Sequence, residues 1–295
     1  MLYEGAASEG RDGYEPKGDT MTTEDMMEVA LDLARLTEIP PDSGIHVRGD
    51  GVRKVLATID CDVGDLLLAR ELSCDTVLTH HPEGVAIVEG WQLIRTQIEQ
   101  LVEVGVPLAR AEAAVQRRLQ QVDINNHPRN YGRVVQAAEL LGLAFLNVHR
   151  PCDLITRRLL AEKLTSFNDP HSRAKVSEVI QALQEFPEQR AAATRPALRL
   201  GAPENYAGRV AVAIGGYTNG GLDVLRAYFD AGVGTVLTMH FSEADLREAK
   251  EQKLAGNLIV TGHMASDSIG INFFLDELQR LGLTVVRAGG IVHSA

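Results

Sequence analysis

Short β-branched apolar runs alternate with amphipathic helical stretches along almost the whole chain, and that alternation leaves few folds open. The run Val52–Asp60 (V-R-K-V-L-A-T-I-D) leads into helical V-G-D-L-L-L-A-R-E-L-S and then into Asp75–His81 (D-T-V-L-T-H-H). Helical patterns follow over Trp91–Val104 and Leu108–Gln121, then N-Y-G-R-V-V-Q-A-A-E-L-L-G, a strand over Leu143–His149 and the helical C-D-L-I-T-R-R-L-L-A-E-K-L. After a Pro- and charge-bearing connector over 165–206, holding one expected helix (Ser172–Phe186), the cycle restarts at Arg209–Gly216 and runs to the final L-T-V-V-R-A-G-G. Strands that alternate with helices specify an α/β protein with mostly parallel strands.

The cycle also repeats itself. T-V-L-T-H-H at Thr76–His81 returns as T-V-L-T-M-H at Thr235–His240, within segments (Val55–His81 and Val210–His240) that read as a diverged duplication. The expected organisation is therefore a flexible tail over 1–21, a first α/β lobe over 22–164 with a longer helical insertion around 83–145, the connector over 165–206, and a second lobe over 207–295. The C-terminal segment of the second lobe is expected to contribute to a site shared by the lobes. Order begins at T-T-E-D-M-M-E-V-A-L-D-L-A-R-L, where Thr22 or Thr23 can cap a helix with acidic residues in its first turn.

Composition narrows the function. A formal net charge of -11 argues against a nucleic-acid surface, which needs clustered Lys and Arg. No apolar run approaches the roughly 18 residues that span a bilayer, and the start lacks the charged-then-apolar order of a secretory signal, so a cytoplasmic location is expected. Three scattered cysteines (Cys61, Cys74, Cys152) suit reduced thiols, not a disulfide framework or a thiolate zinc site.

Histidines follow four separate strands: His80 and His81, then His149, His240 and His263. Parallel strands place such residues at one carboxyl edge of a sheet, where ligands collect. H-R-P-C-D sets His149 four residues before Asp153, and H-M-A-S-D sets His263 four residues before Asp267. On a helix that spacing puts imidazole and carboxylate on one face. Nitrogen and oxygen donors without thiolates describe a divalent metal site open to Zn, Mn, Fe, Co or Ni. The six side chains His80, His81, His149, Asp153, His263 and Asp267 exceed what one catalytic zinc takes, so two divalent metal ions are expected, with Asp267 or Asp153 bridging. Asp60 ends the first strand and is placed to orient a ligand. His46, His127, His171 and His293 read as loop, turn or terminal residues, Cys152 as packing, and G-G-Y-T-N-G-G (Gly215–Gly221) as a tight turn before it reads as a phosphate loop.

Together, V-L-A-T-I-D-C…L-S-C-D-T-V-L-T-H-H-P and G-H-M-A-S-D…F-F-L-D-E-L-Q-R-L-G-L-T-V-V resemble the Nif-three-like family, the NGG-one-interacting factor group often labelled GTP cyclohydrolase I type 2 homologues, over most of Thr22 to Val286. The resemblance implies a dinuclear metal site between two α/β lobes and a homo-oligomer, often a ring-like hexamer. Carried over by motif, it makes His80 and His81, Asp153, His263 and Asp267 ligands, with His149 as a second-tier ligand or proton relay. Several positions depart from the pattern. Asp267 stands where the family has Glu, Arg150 and Pro151 replace Thr and Asn, and His240 replaces the acid of a T-G-E element, which makes it a second-tier ligand or a residue lining the cleft. The stretch from Glu83 to Phe145 is longer than the family's spacer, and its extra helices are expected as a lid or an interface.

Paired ions activate water and clamp an oxyanion, so the leading expectation is a metal-dependent hydrolase acting on a small molecule, nucleotide-like ones among the candidates. The GTP cyclohydrolase activity comes from the resemblance alone. The alternative is a metal-binding oligomeric scaffold or regulatory protein without turnover.

Overall fold

The computed structural model describes residues 20–169 and 171–293. Of the tail expected over 1–21, residues 1–19 lie outside the described residues, whereas Met21 is buried and bridged to Val52. In chain order the elements are α1 (Thr23–Ala34), β1 (Gly44–Val47), β2 (Lys54–Thr58), α2 (Val63–Glu71), β3 (Thr76–Thr79), α3 (Ala86–Glu89), a 3-10 turn (Gly90–Arg95), α4 (Thr96–Glu103), α5 (Leu108–Asn126), α6 (Arg133–Leu141), β4 (Ala144–Asn147) and α7 (Arg150–Lys163). After a second 3-10 turn (Thr165–Asn168) come α8 (Val176–Leu183), α9 (Pro187–Ala191), β5 (Ala197–Leu200), β6 (Arg209–Val212), α10 (Gly221–Asp230), β7 (Val233–Thr238), α11 (Glu243–Glu251), β8 (Asn257–Val260), α12 (His263–Arg280) and β9 (Thr284–Arg287).

Contacts divide the chain into two compact units. Of the described residues, the first gathers those up to 87 with 130–155 and 267–291, and the second gathers 88–129, 156–266 and those from 292 on. Each is discontinuous in sequence. The first unit holds a five-stranded sheet in the order β1-β4-β3-β2-β9 and the second a four-stranded sheet in the order β5-β8-β7-β6. In both, an antiparallel edge strand (β1 on β4, β5 on β8) borders strands that pair in parallel. The repeat seen in the T-V-L-T segments thus extends over four strands, and the first sheet adds β9 beside β2.

Local chemistry accounts for the element ends. Thr22 accepts from the Asp25 backbone N–H while the Asp25 carboxylate accepts from Thr22 N–H, a reciprocal cap that starts α1. Asp62 and Asp65 do the same for α2. The inner strands β3 and β4 are buried along their whole length, which is why they read as unbroken apolar runs and not as alternating ones. Leu56, Val77 and Phe145 from β2, β3 and β4 pack on Leu66, Ala69 and Ala138 of α2 and α6 to form a core of the first unit. In the second unit, α4, α5 and α10 bury Leu101, Val115 and Tyr228 with Val236 and Leu258 of the sheet.

Two edge strands depart from the sequence expectation. His46 belongs to β1, not to a loop, and its Nε2 meets Asn147 Oδ1 at 2.9 Å. Inside the connector, the expected helix Ser172–Phe186 is confined to Val176–Leu183, and β5 pairs antiparallel with β8. Both strands are four residues long and largely half-buried, so neither shows the alternation that marks a strand.

Candidate metal centre

In the first unit, register decides what the sheet delivers. Thr58 lies opposite Thr79, and Thr79 opposite Asn147, so β2, β3 and β4 end level with one another. Within two residues beyond each strand come Asp60, His80 with His81, and His149. Because successive strand residues point to opposite faces, the adjacent pair His80-His81 diverges: His80 is fully buried, whereas the His81 side chain is 21% exposed. Their rings lie 5.3 Å apart, and the His149 ring stands 5.0 Å from His80 and 5.8 Å from His81.

Two carboxylates arrive from helices. Asp153 sits in the first turn of α7, one turn after His149, and Asp267 one turn into α12, after His263. Each reaches two imidazoles. Asp267 Oδ1 lies 3.7 Å from His80 Nε2 and its Oδ2 3.3 Å from His81 Nε2, while Asp153 Oδ1 lies 3.4 Å from His80 Nε2 and its Oδ2 3.9 Å from His149 Nε2. The order His81, Asp267, His80, Asp153, His149 alternates base and acid. Three of these four gaps match the spacing of two atoms bound to one tetrahedral ion, since ligands at about 2.1 Å from a metal stand about 3.4 Å apart. Two triads, His80 with His81 and His149, and His80 with Asp153 and Asp267, each keep their ligand atoms within 4.8 Å.

The opposite nitrogen of every ring is held by oxygen. His80 Nδ1 donates to the Val148 carbonyl at 3.1 Å, His81 Nδ1 meets Asp60 Oδ1 at 2.6 Å, and His149 Nδ1 meets Asp42 Oδ2 at 2.6 Å. A carboxylate or carbonyl at Nδ1 fixes the proton there and turns the Nε2 lone pair toward the cluster, as in metal sites whose ligands are oriented from behind. Asp42 is fully buried, and its neighbour Ser43 accepts the His149 backbone N–H at 3.0 Å. Asp42 escaped the sequence reading because nothing in I-P-P-D-S-G announces a partner more than a hundred residues away.

The fit of a cation rests on His80. Its Nε2 is buried and has no hydrogen-bond partner, yet faces two carboxylate oxygens. Burial drives this ring toward neutrality, but the Asp267 and Asp153 carboxylates outweigh it and hold its pKa well above the ordinary value. For His81 burial again works downward, and Asp267 and Asp60 lift the ring to about 9. Burial also opposes ionisation of Asp153, but the His149 and His80 rings hold its carboxyl below the usual range. The carboxylates of the site thus favour positive charge on the imidazoles between them. Cys152, fully buried, has its thiol pushed up by that burial, which suits packing.

The structure thus brings His80, His81, His149, Asp153 and Asp267 together within the first unit, with Asp60 behind His81. His240 and His263 belong to the second unit, where their rings lie 4.8 Å apart.

Comparison with known proteins agrees with this architecture. Residues 21–288 match the family described as Duf34/NIF3 (NGG1p interacting factor 3), and the chain belongs to that family. A NIF3 superfamily protein from Sphaerobacter thermophilus is 37% identical, with a TM-score of 0.89 over 92% of this chain and 99% of that one. Reduced HcgD from Methanocaldococcus jannaschii (14% identity, TM-score 0.56, 91% of this chain and 98% of that one) and TTHA1606 from Thermus thermophilus (15%, 0.54, 93% and 99%) share the fold. No match is found among curated proteins. Among the described residues, no helix is long and apolar enough to cross a membrane.

Proposed function

We propose that this protein is a divalent-metal-dependent hydrolase of small molecules, with a dinuclear centre held by His80, His81, Asp153 and Asp267, joined by His263 one helical turn before Asp267 and by His149 as a further ligand or proton relay. The observation that carries the reading is the buried His80 Nε2, without a hydrogen-bond partner and 3.4 Å and 3.7 Å from two carboxylate oxygens. When bound, the ions would supply Lewis acidity and lower the pKa of a coordinated water toward neutrality.

The chain's own part is orientation and charge. Asp60, Asp42 and the Val148 carbonyl keep the three Nδ1 protons in place, so each ring offers Nε2 without rearrangement. Asp267 and Asp153, each close to two imidazoles, would hold the ions together with those rings. Ions bound here would compete with protons for His80 and His81, whose affinity for protons the neighbouring carboxylates raise, so binding would strengthen with pH. A homo-oligomer, a ring of six by family resemblance, belongs to the same reading, and light scattering on the eluting protein measures it.

The test is metal analysis of protein purified without chelator, beside His81→Ala and Asp153→Ala. About two ions per wild-type chain and a loss in both variants are expected. Unchanged metal in both variants would reject the centre, whereas full metal with no turnover across phosphoester, nucleotide and amide panels would favour a scaffold.

A further inference from the structure

The two units repeat a strand ending in histidine, and the residue that holds that histidine differs between them in one decisive way. In the first unit Asp60, just past β2, meets His81 Nδ1 at 2.6 Å. In the second, Asn219, in the loop after β6, meets His240 Nδ1 at 2.9 Å. His81 and His240 are the last letters of the matched T-V-L-T-H-H and T-V-L-T-M-H segments, so the same ring atom is gripped from the neighbouring strand's loop in both copies.

The polarity is reversed. A carboxylate only accepts, so His81 keeps its proton on Nδ1 and presents a lone pair at Nε2. The Asn219 amide is fixed by its other end, because Oδ1 accepts the Gly221 backbone N–H at 3.3 Å and leaves Nδ2 facing the ring. An amide nitrogen only donates, so His240 Nδ1 must accept and the ring proton lies on Nε2. A nitrogen carrying its proton cannot ligate a metal. Met239 also replaces the first histidine of the pair, His80, which removes the other imidazole from this copy.

We infer that His240 is a hydrogen-bond donor to an oxyanion of the bound ligand, such as a phosphate oxygen, and not a metal ligand. This rests on the metal reading above for one point only: His263, whose ring is 4.8 Å from that of His240, would hold an ion, and an oxygen bound there falls within reach of the exposed His240. The duplication thus supplies two imidazoles with opposite tasks, and the exchange of Asp for Asn behind the ring sets which task each performs. His240 is accordingly a residue that positions the ligand and sets its specificity.

The experiment joins three readouts on the full chain. Nitrogen-15 NMR of the imidazoles reports the tautomer, which should be Nε2–H for His240 in both metal-free and loaded protein, and should shift to Nδ1–H in Asn219→Asp. Metal per chain should stay at the wild-type level in His240→Ala. Inorganic phosphate, titrated calorimetrically into loaded protein, should bind about tenfold more weakly to His240→Ala, the loss expected for one hydrogen bond to a charged group, and His240→Gln, whose amide still donates, should recover most of that affinity. An Nδ1–H tautomer in the wild type, metal lost from His240→Ala, or equal phosphate affinity in wild type and His240→Ala would each overturn the inference. Full metal in His81→Ala and Asp153→Ala would instead reject the centre itself, so the two failures are distinguishable.

Discussion

Asp42 is far in sequence from every expected ligand, yet this fully buried carboxylate meets His149 Nδ1 at 2.6 Å. Asp42→Asn keeps the shape and reverses or weakens that grip, so affinity for the ions should fall about 10- to 100-fold, the usual cost of losing a residue that orients a ligand from behind. Competition against a chromogenic chelator measures it, and an unchanged affinity would place His149 outside the centre. The protons at the cluster make a second prediction. In the metal-free chain His81 titrates at about 9 against an ordinary 6.5, so its contribution to stability is complete below pH 6.5 and is lost as pH rises through about 9. Melting of chelator-treated protein should drop across that window, and a flat or rising profile would contradict it. The imidazoles and acids of T-H-H-P, H-x-x-x-D and G-H-x-x-x-D were legible because donor type and helical spacing are local properties. Asp42 and the Asn219 amide were not, since their meaning arises only where loops from distant strands meet.

At the scale of elements, inner strands declared themselves and edge strands did not. Val77 and Leu78 of β3 are fully buried, and such strands must be apolar on both faces, whereas β1 and β5 face a neighbour on one side only and carry mixed residues. The sheet of the second unit also ends differently from that of the first. Where β9 pairs with β2, the second unit has instead a single side chain, Asn168, whose Oδ1 accepts from Val210 N–H at 2.7 Å and whose Nδ2 donates to Val210 O at 3.2 Å. One amide thereby imitates a strand residue. Asn168→Ala leaves both groups of the buried Val210 unmet and should destabilise by about 1–3 kcal/mol. Urea titration reads the loss, and a change below the noise would mean that water replaces the amide at this edge. The turn after the histidine pair is constrained as well: Gly84 has φ +56, and a Cβ there would lie 2.6 Å from His46 Nδ1. Gly84→Ala should therefore lower the melting temperature, because both strain and contact oppose it.

For the whole molecule, an ion that binds only the native state stabilises what it touches. Hydrogen exchange followed by mass spectrometry should show added protection on metal addition in segments 76–81, 144–155 and 267–272, and equal gains everywhere would argue against a local centre. The α/β class and the duplication were readable along the chain, whereas the way residues 88–129 join the second unit while 267–291 join the first depends on long-range contacts that periodicity does not encode. That interleaving has a consequence for biosynthesis. His80 and His81 leave the ribosome long before Asp267 and β9, the strand that completes their sheet. A nascent chain therefore presents the two imidazoles for a time without the carboxylate that reaches both of them.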